Sequence, residues 1–205
     1  MTSASPAVPS PTEDDDLIAR FRALPVANIG DAMERLNVVD ASIRPVWRGL
    51  TMAGRAYTIE VAGGDNAGIH EALPHMKSGD VLVVNGHGVT NRALIGELIS
   101  ERLKKIGVVG VVIDGAIRDA RDIEEMALAV FSSGITPAGP YKNGPFRLNI
   151  PVAIGGVVVA PGDIVVGDDD GVAIVPAADA ERIVAAAEAK HASETAIRAA
   201  IVASA

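Results

Sequence analysis

An α/β protein is predicted from three observations. Apolar residues make up 49% of the 205-residue chain and aromatic residues only 3%. With Ala, Val and Ile dominating the apolar set, this suits a compact α/β or α+β protein built on buried Val/Ile strands. Strand-like apolar runs then alternate with amphipathic helical runs through the middle of the chain. A block of strand-like runs with Gly/Asp turns follows, and an alanine-rich helix closes the chain.

The elements follow in order. "MTSASPAVPSPTE" is rich in Ser, Pro and acid and poor in large apolar residues, so residues 1–13 read as a disordered arm. Residues 14–205 read as a single domain, large enough to bury a sizeable core. "DDDLIARFRAL" places acids before a helical face of Leu17, Ile18, Phe21 and Leu24. "VANIGDAMERLNV" repeats the helical pattern with Ile29, Met33 and Leu36. "AGRAYTIEVAG" is strand-like and is stopped by Gly63 and Gly64, and "NAGIHEALPHM" is a short helix broken at Pro74. "SGDVLVVNG" is a buried strand, and "NRALIGELISERLKKIG" an amphipathic helix ended by Lys104, Lys105 and Gly107. "VVGVVIDG" and "LAVFSSG" are further strands. "IGGVVVAPGDIVVGDDDGVAIVP" reads as antiparallel hairpins, and a helix runs from Ala177 to Ala205.

Composition excludes several classes of function. Net charge is −8, and no stretch clusters Lys and Arg, which argues against nucleic acid or an anionic membrane as partner. The chain has no cysteine, hence no disulfide, thiolate metal site or cysteine nucleophile. No apolar run reaches the roughly 18–20 residues needed to span a bilayer. The first residues lack the basic and apolar regions of a secretory signal, so the expected location is the cytoplasm.

Two segments repeat one form, buried strand, glycine turn, helix: "DVLVVNGHGVTNRALIGELIS" and "VVGVVIDGAIRDARDIEEM". In α/β sheets ligands sit beyond the carboxyl ends of strands, near helix N-termini, so two such neighbours open on one crevice. Gly86 and Gly88 resemble the start of a dinucleotide fingerprint, but Asn91 stands where the third glycine belongs. Gly96 reads either as a packing glycine inside a helix or as a point where ligand approaches backbone closely. Asp119 and Asp122, three apart, share a helical face, and Arg118 lies four before Asp122. Ordinary N-capping explains such acids. So does a site where an arginine meets a substrate carboxylate and an aspartate meets a hard cation.

Other candidates carry less. His70 and His75 are five apart, not the spacing of a zinc helix, and read as structural or surface residues. "GDDDGVAIVP" lacks the ligand spacing of a calcium loop and reads as a solvated hairpin turn. No G-x-S-x-G occurs, and no lysine sits in the apolar setting that a Schiff-base nucleophile needs. Carbonyl chemistry here would need a metal.

At "GELIS…GVVIDGAIRD" the sequence resembles the RraA-like family, which includes the class II 4-hydroxy-4-methyl-2-oxoglutarate / 4-carboxy-4-hydroxy-2-oxoadipate aldolases. "NIGDAMERL", "GDNAGIHEAL", "SGDVLVVNGHG", "RALIGELI", "PVAIGGVVVAPGD" and "DDDGVAIVP" follow in the family's order, so the likeness covers nearly the whole chain after the arm. It implies a swivelling β/β/α sandwich, assembled as a homotrimer or a dimer of trimers with sites between subunits. It further implies that backbone amides of Gly96, Glu97, Leu98 and Ile99 hold a pyruvyl carboxylate. Arg118 aligns with the substrate-binding arginine, Asp119 with the aspartate that ligates Mg²⁺ or Mn²⁺, and Glu97 with the acid that orients a catalytic water. Asp122 would stand one layer behind the metal, and Glu194 of a neighbouring subunit would contribute as well. The implied reaction is metal-dependent cleavage of a 2-oxo acid to pyruvate, with oxaloacetate decarboxylation as a side activity. The far end of the pocket is expected near Asn66, His70 and the loop Pro137–Pro145. Two alternatives stand beside this reading. One is a non-enzymatic regulator that binds ribonuclease E; the other is a lyase for another 2-oxo or sugar acid on the same scaffold.

Overall fold

A computed structural model describes residues 13–204. The expected arm therefore lies outside the described residues except for Glu13, which opens the first helix. The helices are α1 (Glu13–Arg22), α2 (Val26–Ala32), α3 (Ala67–Ala72), α4 (Glu97–Ile106), α5 (Ala120–Glu125) and α6 (Ala180–Ala203). The strands are β1 (Arg44–Pro45), β2 (Met52–Val61), β3 (Asp80–Ile95), β4 (Gly110–Ile117), β5 (Ala129–Ile135), β6 (Phe146–Leu148), β7 (Val152–Ile154), β8 (Val157–Val159), β9 (Ile164–Asp168) and β10 (Gly171–Val175).

Four acids in the first turn of α1 complement its dipole, and Leu17 and Phe21 are its buried residues. In α2, Ile29 is fully buried, and Met33 just past its end is nearly so. The expected continuation to Leu36 fails. Glu34, Arg35 and Asn37 take left-handed backbone, the chain reverses, and Leu36 is left 66% exposed. The apolar spacing suggested a continuing helix, but the reversal carries Leu36 out of the core.

The main sheet has the order β1-β5-β4-β3-β2-β9-β10. Strands β2 to β5 are mutually parallel, as buried Val/Ile runs require. Leu82 and Val84 enter one core and Val81 and Val83 another, so β3 is apolar on both faces. The outer edge of β2 is divided: Met52–Arg55 pairs antiparallel with β9, while Ile59–Val61 pairs with β6. The expected hairpins are present as β7–β8 and β9–β10.

Three buried clusters organise the layers. Helices α3, α4 and α5 cover one face through Ile69, Ile99, Leu103 and Ile123, packed with Leu82, Val111 and Ile113. The β7–β8 hairpin covers the other through Val152, Ile154, Val157 and Val159, packed with Val83 and Phe131. The result is the β/β/α sandwich. A third cluster seats α1, α2 and the first half of α6 on β9 and β10 through Phe21, Ile29, Ile164, Val175 and Ile183. Arg20 clamps α1 to α6 with a two-pronged bond to Glu188, 2.8 Å on each side, and a further bond to Glu181. Beyond His191 helix α6 is exposed, with Ile197, Ile201 and Val202 on its surface. Among the described residues no helix is long and apolar enough to cross a membrane.

The middle of the chain departs from expectation. A helix from Asn91 is contradicted: β3 runs on to Ile95, and α4 begins only at Glu97. Residues Asn91–Ile95 carry a helical apolar pattern, but pairing of Ala93 with Ala116 and Ile95 with Ile117 places them in the sheet, where Ala93, Leu94 and Ile95 are buried. Gly86 and Gly88 are likewise not a strand-to-helix turn. They flank His87 inside β3, where His87 and Gly88 have positive φ and the register with β4 shifts between Asn85 and Val89.

Phe21 has no solvent exposure and joins α1 to both α6 and the hairpin β9–β10. Phe21→Ala is expected to destabilise the protein by about 3–5 kcal/mol, read from urea unfolding followed by circular dichroism.

Candidate functional site

Parallel β3 and β4 are neighbours, each followed by a helix, so the two turns open on one crevice, as the sequence pattern implied. Gly96 joins β3 to α4, and Arg118 and Asp119 join β4 to α5. Gly96 is thus not a packing glycine within a helix but the residue before α4, in extended backbone. A Cβ there would collide with Asp119 Oδ2 and lie 2.8 Å from Arg118 Cγ. The missing side chain is what allows the two loops to touch.

Asp119 tests the capping explanation directly. It stands at the N-cap of α5 with φ 55°, yet makes no side-chain cap bond to that helix. Its Oδ2 instead accepts the N–H of Glu97, at the start of α4, at 3.0 Å and lies 3.4 Å from Arg118 Nε. The left-handed backbone turns the carboxylate away from its own helix and across to the neighbouring one. A short polar side chain tolerates that conformation. Arg118 pairs with Asp119 rather than with Asp122. Asp122 is exposed and makes no ion pair among the described residues.

At the start of α4, Glu97 N–H is taken by Asp119, and Ser100 N–H bonds Gly96 O. The N–H groups of Leu98 and Ile99 have no acceptor among the described residues, as the first turn of a helix leaves them. Free N–H groups at a helix start suit an anion, and the helix dipole there adds to the field of Arg118. Gly96, Leu98, Ile99 and Arg118 all line a cleft of about 180 Å³. Glu97 and Asp119 adjoin it through Gly96 and Arg118.

Asn66, His70, Arg102, Pro140 and Lys142 line the same cleft. Asn66, His70 and the Pro137–Pro145 loop were expected near this pocket; His70, read as structural or surface, is half-buried and lines the cleft. Arg102 went unnoticed in the sequence, although it lies one helical turn after Leu98, a spacing that puts both on one side of α4. Lys142 comes with the Pro137–Pro145 loop, though nothing singled it out within that loop. The loop that carries it is tied down at several points. Arg92 donates to Gly139 O at 2.7 Å and to Tyr141 Oη at 2.8 Å, and Ala93 N–H bonds Ala138 O. Asp65, 3% exposed, accepts backbone N–H groups of Ala67 and Asn143. Burial alone would raise its carboxyl pKa, but bonds from Ala67, Asn143 and Gly144 outweigh it and hold the group below its ordinary value.

Glu194 lies elsewhere in the chain. Its carboxylate accepts from Asn28 Nδ2 at 2.8 Å and sits 3.3 Å from Lys190 Nζ, on the α2–α6 side. It does not line the cleft of its own chain. The triple aspartate is a hairpin turn: Asp168 accepts Val26 and Asp170 N–H, and Asp169 accepts Gly49 N–H. Among the described residues no three His, Cys, Asp or Glu come together as a metal cluster.

Fold and cleft together define an α/β protein with a crevice beyond the carboxyl ends of parallel strands. The chain belongs to the RraA-like family (Aldolase/RraA), whose profile matches residues 26–174. A Halalkalibacterium halodurans protein, provisionally named a 4-hydroxy-4-methyl-2-oxoglutarate aldolase, is 36% identical over 181 residues, 88% of this chain and 86% of the relative. An uncharacterised Pseudomonas syringae structure superposes with TM-score 0.86 at 24% identity, over 100% of this chain and 96% of that one, and supports the fold. A Streptomyces coelicolor structure, described as an unusual member of the RNase ES inhibitor RraA protein family, gives TM-score 0.81 at 28% identity over 89% and 96%.

Gly96→Ala is expected to cost about 1–3 kcal/mol by overpacking and to break the Asp119–Glu97 bond. Denaturant unfolding and faster hydrogen exchange at the Glu97 amide would show it; wild-type values for both would mean the loops need no such contact.

Proposed function

We propose that this chain is a class II pyruvate aldolase, dependent on a divalent cation, that cleaves 4-hydroxy-4-methyl-2-oxoglutarate or 4-carboxy-4-hydroxy-2-oxoadipate. Oxaloacetate decarboxylation is its side activity. The observation that carries the reading is the turning of Asp119 away from its own helix and against Arg118 and α4. A bare capping residue would bond its own helix.

The donor set fits Mg²⁺ or Mn²⁺, which take one or two protein carboxylates and keep several waters. Asp119 is the carboxylate that would hold the cation: one oxygen is committed to Glu97 N–H, and Oδ1 has no partner among the described residues. When bound, the ion supplies Lewis-acid polarisation of the 2-oxo group. The remaining roles belong to the chain. Leu98 and Ile99 N–H donate to the pyruvyl carboxylate. The Arg118 guanidinium donates to the oxygen on which negative charge develops as the C3–C4 bond breaks. Glu97 orients a water that takes the C4 hydroxyl proton. The products are pyruvate, released through its enolate, and a second 2-oxo acid. Loss of CO₂ from oxaloacetate passes through the same enolate. Among the described residues the Asp122 side chain makes no hydrogen bond or ion pair with Asp119, so that role stays with the resemblance alone.

The protein works as a homotrimer or dimer of trimers in the cytoplasm, on a small dissolved acid, with neither nucleic acid nor membrane as partner. Exposed Ile197, Ile201 and Val202 on the projecting half of α6 support assembly, and a closed ring satisfies a head-to-tail interface. In such a ring Glu194 would be offered to a neighbouring cleft. Light scattering is expected to show three or six chains; a monomer at micromolar concentration would remove the shared site. A regulator of ribonuclease E is the second reading, favoured by the likeness to the Streptomyces structure.

Asp119→Ala is expected to abolish Mg²⁺-dependent pyruvate release from 4-hydroxy-4-methyl-2-oxoglutarate and oxaloacetate while leaving the circular dichroism unchanged. Arg118→Lys is expected to lose at least about 10²-fold in kcat, because a point charge cannot replace a planar fork. An Asp119→Ala variant that keeps most of its rate would show a structural aspartate. A wild type inert on every 2-oxo acid would transfer the case to the regulator.

A further inference from the structure

Arg92 belongs to β3 and is not one of the residues that line the cleft. Its guanidinium meets no acid among the described residues and is committed to one loop instead. Nη1 donates to Gly139 O at 2.7 Å, Nη2 donates to Tyr141 Oη at 2.8 Å, and Cζ lies 3.9 Å from the centroid of the Tyr141 ring. A planar fork can bond twice and stack at once, which an ammonium cannot. Gly64, at φ 73°, leaves the room this needs, since a Cβ there would lie 3.2 Å from the Arg92 side chain. The next residue of β3 adds a backbone bond, Ala93 N–H to Ala138 O at 2.8 Å. Tyr141 is tied down on its other side, where its N–H bonds Gly64 O at 2.9 Å and its carbonyl accepts Asn66 N–H at 3.0 Å. Ordering a long arginine costs side-chain entropy, and a carbonyl and a hydroxyl return less than a carboxylate would. The arrangement is explained by what the loop does.

Between the two anchored ends lie Gly139 and Pro140. Pro140 lines the cleft. Gly139 comes against Arg118: a Cβ there would lie 3.3 Å from Arg118 Nη1. The backbone of Gly139 is not left-handed, so space and not conformation favours glycine at this point. Arg118 is therefore bounded on two sides, by Asp119 Oδ2 at 3.4 Å from Nε and by the Gly139 backbone beside Nη1. Its side chain is still 42% exposed. Without the loop, a side chain so open would be free to leave this rotamer.

We propose that Arg92 is a positioning residue: by clamping Gly139 and Tyr141 it sets the loop against Arg118 and holds that guanidinium in one place. Resting on the aldolase reading, this makes Arg92 act on the chemical step and not on capture of the acid. Capture falls to the Leu98 and Ile99 amides of α4, whereas Arg118 serves the oxygen on which charge develops. A loosened Arg118 must reorganise when that charge appears, and loses the advantage of a fixed donor. Arg92 therefore moves kcat and leaves KM nearly alone.

The test uses the Mg²⁺-loaded protein with oxaloacetate as substrate, together with calorimetry of pyruvate against oxalate. Oxalate is a planar dianion that carries negative charge where pyruvate has a carbonyl oxygen, so its affinity reports on Arg118. Arg92→Ala and Arg92→Lys are expected to lose about tenfold to a hundredfold in kcat, the scale of a roughly 1 Å misplacement, with KM within about threefold. Oxalate affinity should fall with kcat while pyruvate affinity holds. Arg92→Lys is the sharper variant, because it keeps the charge and loses only the fork. Gly139→Ala reaches the same guanidinium from the loop side and should give the same signature. A direct reading needs neither metal nor substrate: the ¹⁵N order parameter of Arg118 Nε should drop in Arg92→Lys. An unchanged order parameter overturns the proposal, as does a wild-type kcat in Arg92→Lys. So does an equal loss of pyruvate and oxalate affinity, which would make Arg92 a strut for the whole cleft. If wild type turns over no 2-oxo acid, the aldolase reading fails separately, and the order parameter alone decides the positioning.

Discussion

The site depends on one close approach. Gly96 lacks a Cβ, Asp119 Oδ2 occupies the space it would fill, and the loops after β3 and β4 are locked together by the bond to Glu97 N–H. That contact uses one of the helix-start amides of α4 and leaves two for a ligand. It also puts a carboxylate and a guanidinium side by side without neutralising either completely, since both remain partly open to solvent. A surface ion pair of this kind contributes little to stability. Its position at the joined ends of two parallel strands is better explained by what it can bind.

Everything around the contact is arranged to keep it stiff. The sheet beneath is apolar on both faces, and the loop that carries Lys142 is pinned by Asp65, Arg92 and backbone bonds. The loop even closes on the arginine, for a Cβ at Gly139 would lie 3.3 Å from Arg118 Nη1. Preorganised donors of this type act on charge that develops during a reaction, because they need not reorganise when it appears. The acidic net charge of the chain is spread over helices and turns, while Arg102, Arg118 and Lys142 meet at the cleft. Overall charge therefore says little about the ligand, and the local field says much.

Capping shows where local rules stop deciding. By sequence, Asp119 followed by Asp122 is an unremarkable helix start. In the folded chain the same aspartate bonds a different helix, because its left-handed backbone and the absent Cβ of Gly96 make the crossing available. The error over Asn91–Ile95 has the same origin. A helical pattern was present, but pairing with β4 draws the segment into the sheet and buries Ala93, Leu94 and Ile95.

The sequence by itself determined the class of fold, the parallel Val/Ile core, the two hairpins and the segments from which Gly96, Arg118 and Asp119 come. These follow from periodicity, turn residues and segment order, all local properties of the chain. Tertiary structure alone decided which loops meet, that Asp119 serves the neighbouring helix, that Arg102 and Lys142 line one cleft with His70, and that Arg92 holds Gly139 beside Arg118. Such facts depend on strand order and on the distance between backbones far apart in sequence. The hydrophobic pattern says which residues are buried but not what they are buried against.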